Sequence, residues 1–120
     1  MPKNKFKLLF HIGIINLNVH FMDFFLKNLR ETVEAINKLI DNNVNMVNTK
    51  RVRRCNKIKS SDRSKINFIW RSLDCLAEEG ILEMNGTYSP KTYKIKSDEK
   101  LDVDDIVTKI EQKKNSDENS

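Results

Sequence analysis

A chain of 120 residues is long enough for one domain with a real core and too short for two comfortable ones. Three glycines, two prolines and 8% aromatic residues exclude a turn-rich β-sandwich, while an apolar share of 38% fits an ordinary globular fold. The net charge of +5 is unevenly spread: residues 50–71 hold nine Lys and Arg against Asp62 alone, whereas 97–120 hold eight acids and four bases, so the positive strip carries the footprint of a polyanionic partner more than of a merely solvated face.

Residues 1–22 open with a basic stretch and an apolar run over 8–15 that superficially resembles a signal peptide. No small-residue cleavage site comes after it, and His11 interrupts the run. His11, Asn16, Asn18 and His20 count equally against a membrane span. Two readings stay open: the segment packs on the domain as a strand or short helix, or it lies upstream of a natural start at Met22. Asp23, directly after Met22, is a good N-cap for a helix starting there. Over 23–42, Phe25, Leu29, Val33, Ile36, Leu39 and Ile40 recur at helical spacing, with Lys27, Arg30, Glu31, Glu34 and Lys38 opposite, which predicts an amphipathic scaffold helix. Residues 44–47 read as a small strand. Asn48 or Thr49 then caps a short helix over 50–58, anchored by Val52, Cys55 and Ile58 and too short to stand without its neighbours.

The strongest pattern is the helix over 62–79. Ser60, Ser61 and Asp62 mark its start and Gly80 its stop. Ile66, Ile69, Trp70, Leu73, Leu76 and Ala77 form the expected buried stripe, with Trp70 assigned to the core in preference to base stacking. The outer face reads Arg63, Asn67, Arg71 and Asp74, with Ser64, Lys65 and Phe68 beside it. The turn before it, over 57–62, lacks the usual glycine. Beyond Gly80 the period changes to a strand over 81–84 and another over 92–96, with Tyr93 and Ile95 paired to Leu82 and Met84. Asn85-Gly86 is a hairpin signal, but a tight turn there would put Pro90 inside the returning strand, so a wider loop over 85–91 is expected. Residues 97–112 read as a polar link and a short amphipathic helix (Val103, Ile106, Val107, Ile110) capped by Asp102. Residues 113–120 are polar, acidic and expected to be disordered.

The order of helix, short strand, basic helix, helix and hairpin resembles the winged helix-turn-helix family over 23–96, a mainly α fold with a small β-hairpin. The resemblance rests on Leu73, Leu76, Glu78, Glu79, Gly80, Ile81 and Leu82, together with Tyr93 and Ile95. It implies that the helix from about Asp62 enters the major groove of double-stranded DNA, and that the loop near Asn85 touches the backbone or minor groove. It also implies a homodimer paired through the first or last helix. Only Lys91 is basic in the loop, which departs from a strong wing contact.

On the outer face, Arg63 or Arg71 can make two bonds to guanine and Asn67 two to adenine. Ser64 borders them, and Phe68 either meets a thymine methyl or folds under against the second helix. Arg63, Ser64, Asn67, Phe68 and Arg71 are therefore the candidate base contacts, against the plainer reading of phosphate contact or solvation. Lys50, Arg51, Arg53, Arg54, Lys57, Lys59, Lys65 and Lys91 are the candidate phosphate contacts. RNA is a weaker candidate because no exposed aromatic platform is evident. The runner-up is a winged helix used for protein contact in a larger assembly.

No glycine-rich phosphate loop, H-E-x-x-H, or Ser or Cys beside a candidate histidine is present, and Glu78 and Glu79 are adjacent and cannot face one another. The chain reads as a non-enzyme without cofactor or metal. Cys55 and Cys75 lack zinc-site spacing and read as reduced thiols of a cytoplasmic protein, a disulfide being the alternative.

Overall fold

The structure is a computed structural model that describes residues 3–86 and 91–119, with side chains over 21–86 and 91–116. Seven elements succeed one another: α1 (Lys3–Asp41), β1 (Met46–Val47), α2 (Thr49–Cys55), α3 (Arg63–Glu78), β2 (Leu82–Asn85), β3 (Thr92–Ile95) and α4 (Val103–Asn119). The fold is mainly helical with a small three-stranded antiparallel sheet.

At a rise of about 1.5 Å per residue, the 39-residue α1 spans the longest dimension of the molecule, 57 Å. The helix expected from Asp23 begins twenty residues earlier, at Lys3, so Asp23 is an exposed interior position and not an N-cap. Nothing between Lys3 and Met22 breaks a helix outright: the chain's first proline precedes it, and a lone Gly13 costs only about 1 kcal/mol. Over its second half α1 is buried on two sides. Phe25, Leu29, Val33 and Ile36 form the anticipated stripe, while Asn28, Thr32 and Ala35 are buried as well. Both α3 and α4 pack on it, so one amphipathic stripe could not suffice. Asn28 satisfies its amide by donating to Phe24 O at 2.7 Å, whereas Thr32 Oγ1 is buried with no partner among the described residues.

Three helices end in the same way. In each, the residue after the C-cap has positive φ and two reverse hydrogen bonds close the end: Asn43 (φ 60°) after α1, Lys57 (φ 57°) after α2 and Gly80 (φ 79°) after α3. After α2, Ile58 N–H donates to Arg53 O at 2.9 Å and Lys57 N–H to Arg54 O at 3.2 Å. The glycine missing from the turn is therefore replaced by a lysine held in the left-handed region, a strained conformation for a side chain of this kind. At its other end, α2 is capped by Asn48, whose side chain accepts from Arg51 N–H at 2.8 Å.

The strands pair as anticipated and gain a third member. β2 and β3 match Leu82 with Ile95 and Met84 with Tyr93. β1 joins the other edge, Val47 opposite Tyr93, giving the order β1-β3-β2. The wide loop falls partly outside the described residues, at 87–90. Cys55 and Cys75 are free, half-buried thiols, and burial pushes the Cys75 thiol up from its ordinary value.

α4 is longer and more closely docked than the sequence indicates. Asp102 caps it, accepting from Asp105 N–H at 3.1 Å, and the helix continues through the segment expected to be disordered as far as Asn119. Ile106, Val107 and Ile110 are buried with the α1 residues. Asn37 on α1 clamps the approach to α4, its amide donating to Leu101 O at 3.0 Å while its carbonyl accepts from Leu101 N–H at 2.7 Å. Arg30 pairs with Asp104 at 2.6 Å and Lys113 with Glu79 at 2.7 Å. The apolar face of α4 is thus packed within the chain's own core. No helix among the described residues is long and apolar enough to cross a membrane.

Candidate nucleic-acid interface

The positive strip is carried by α2, the turn after it and the first half of α3. Val52 is buried, and Cys55 and Ile58 pack partly against the core, so the short helix docks by one side and turns its basic residues outward. Lys50, Arg51, Arg54, Lys57, Lys59, Arg63 and Arg71 are exposed, and Arg53 and Lys65 are half-buried. Two of these serve the local fold: Arg51 Nη1 donates to Met46 O at 2.9 Å and Arg53 Nη1 to Ile58 O at 3.0 Å, the latter bracing the strained turn at Lys57. Lys65 is partnered by Glu31 on α1 at 3.2 Å. Lys50, Arg54, Lys57, Lys59 and Arg63 make no side-chain hydrogen bond or ion pair among the described residues, which leaves five cations along one stretch of chain free of close partners.

α3 starts at Arg63 with Asp62 accepting from Lys65 N–H at 3.2 Å. Its buried arc is Ile69, Ser72, Leu73 and Leu76. Arg63, Ser64, Asn67 and Arg71 are all exposed, so the outer face anticipated from the spacing is open to solvent. One expectation for this helix needs correction. Trp70 is not core: it is 44% exposed. The buried arc is rotated toward Ser72, a small side chain whose hydroxyl is satisfied by donating to Phe68 O at 2.7 Å. Trp70, about 100° around the helix from Ile69, is carried out to the edge of the polar face. Phe68 is half-buried against Phe21 of α1, ring centroids 5.5 Å apart, a contact that the local spacing does not encode. Arg71 lies over the same Phe21 ring at 5.3 Å, drawn toward α1 from the row made by Arg63 and Asn67.

Across the groove toward the hairpin, Asp74 organises the other edge of α3. It accepts a hydrogen bond from Tyr93 Oη and pairs with Lys91 Nζ at 3.7 Å. Lys91 also stands over the Trp70 ring, 5.3 Å from its centroid. The one basic residue of the loop is therefore engaged twice, which weakens it as a phosphate contact. Burial, and after it the bond to Asp74, raise the Tyr93 hydroxyl well above its ordinary pKa, keeping it a neutral donor.

Trp70 is the surface residue that the spacing concealed. The available signal was Ser72, a small polar residue in step with Ile69 and Leu76 that can lie under a close helix crossing. With Trp70 exposed, the premise that no aromatic platform exists no longer holds. Comparison with family models, curated proteins and solved structures finds no match to this chain.

Proposed function

We propose that the chain is a winged helix-turn-helix protein that binds double-stranded DNA sequence-selectively and acts as a transcriptional regulator. In this reading α3 is the recognition helix and the β2–β3 hairpin the wing. The observation that carries it is the open face of α3, with Arg63, Ser64 and Asn67 exposed beside the unpartnered Lys50, Arg54, Lys57 and Lys59. Charges of this kind, on side chains not used to hold the fold, are what phosphate binding requires. Asn67 is the base-reading candidate, since its amide can donate to and accept from adenine at once. Lys65, Phe68 and Lys91 are occupied by Glu31, Phe21 and Asp74 respectively, and contribute less than the sequence implied. Arg53 supports the turn and is a poor choice for a binding variant.

A homodimer belongs to the same proposal. With α4 docked on its own α1, pairing through the last helix loses support and pairing through the first remains.

The test is selection of a preferred site from random duplex, and then anisotropy. Asn67→Ala should lose about 1–3 kcal/mol on the preferred site and nothing on unrelated duplex. Arg54→Ala and Lys59→Ala should weaken every duplex alike. If none of the three changes affected duplex binding, the basic strip would be a protein-contact surface instead.

A further inference from the structure

We infer that Trp70, backed by Lys91, is a stacking platform for an unpaired nucleobase. The preferred ligand is then a duplex that carries a short single-stranded overhang or an extrahelical base. The inference rests on the nucleic-acid reading above and deepens it by specifying the ligand.

Trp70 is the chain's one tryptophan, and its indole is left 44% exposed on a helix whose other large apolar residues are buried or half-buried. Large aromatic rings contribute most to folding when removed from water, so leaving this one out forgoes that gain. Its surroundings are polar. Asn67 lies one turn earlier on the same edge and Arg63 two turns earlier, while Lys91 Nζ stands 5.3 Å from the ring centroid. The ammonium also pairs with Asp74 at 3.7 Å, and Asp74 accepts from Tyr93, so a second charge partner holds the cation beside the ring. An apolar protein partner would have to desolvate these groups to reach the indole. A nucleotide offsets that cost: its base offers a flat face to the ring, its phosphate meets Arg63, and the base edge lies within reach of an amide like that of Asn67. Within a paired duplex every base face except the outer faces of the terminal pairs is covered by its neighbours. Away from the ends, only an unstacked base can meet Trp70 face to face.

Three probes separate the outcomes: a blunt duplex, the same duplex with a short oligothymidine overhang, and oligothymidine alone. Because the chain has a single tryptophan, its emission reports on this ring alone. The overhang duplex should bind roughly 5- to 150-fold more tightly than the blunt one and quench the indole emission. Trp70→Ala should equalise the two affinities, and Trp70→Phe should keep a reduced preference. Equal binding of blunt and overhang duplexes by the wild-type protein, unchanged emission on binding the overhang duplex, or a preference that survives in Trp70→Ala would each overturn the inference. If the blunt duplex does not bind but oligothymidine does, with quenching, the platform stands and the duplex reading falls. Binding of none of the three overturns both, and leaves the indole to a protein partner.

Discussion

Tyr93, at the centre of the sheet, donates its phenolic hydrogen to the Asp74 carboxylate on α3, and so ties the middle strand to the outer helix. Tyr93 is fully buried, whereas the Asp74 side chain is 26% exposed and can be partly resolvated. Tyr93→Phe should therefore cost about 1.5–2 kcal/mol, the lower part of the range for a hydrogen bond to a charged acceptor. The raised phenol also sets the sign of the pH dependence. The unfolded chain ionises its tyrosines near pH 10, roughly, while folded Tyr93 stays protonated beyond that. Its share of stability is complete below that pH and is lost as pH rises above it. Urea unfolding at about pH 8 and about pH 11 should show a smaller alkaline loss in Tyr93→Phe than in the wild type.

Thr32 presents the opposite case, a buried hydroxyl without a partner among the described residues. Thr32→Val keeps the shape and removes the unsatisfied group, so stability should rise by about 1 kcal/mol. A denaturant midpoint that falls would mean that the hydroxyl is satisfied in solution.

At Lys57 the left-handed backbone costs an L-residue about 1–2 kcal/mol, of which the extra freedom of an unfolded glycine takes back about 0.5–1. Lys57→Gly should therefore stabilise the fold by up to about 1 kcal/mol. The same variant removes one cation from the strip. Stability and duplex affinity should move in opposite directions, which a melting curve and an anisotropy titration on one sample will show.

Asn37 holds both backbone groups of Leu101. Asn37→Ala leaves them without these partners and should cost about 1–3 kcal/mol. Hydrogen exchange should speed up first in α4, around Ile106 and Ile110, because the clamp guards that end of the helix. Equal acceleration throughout the chain would show that α4 unfolds only with the whole domain.

Helix stripes such as Phe25, Leu29, Val33 and Ile36 were legible in the sequence because one periodicity produces one buried face. The register of Leu82 and Met84 against Ile95 and Tyr93 was legible because Pro90 ruled out the tighter turn. What escaped has a physical cause in each case. The extension of α1 to Lys3 has no start signal comparable to Asp23. A left-handed Lys57 does not announce itself, since lysine favours no such conformation. Trp70 falls outside the expected stripe because hydrophobicity alone puts a tryptophan inside, while the buried arc runs through Ile69, Ser72, Leu73 and Leu76. Pairings such as Phe68 with Phe21 and Lys65 with Glu31 join residues distant in sequence, and no local spacing encodes them.

Salt dependence of binding to a blunt duplex is the sharpest test of a phosphate-binding role for the basic strip. With Lys50, Arg54, Lys57, Lys59 and Arg63 free to meet phosphates, the logarithm of the binding constant should fall against the logarithm of salt concentration with a slope of about −4 to −5. Arg54→Ala and Lys59→Ala should each make that slope shallower by about one, with the circular dichroism of the fold unchanged. Affinity that does not respond to salt, or no duplex binding even at low salt, would contradict that role.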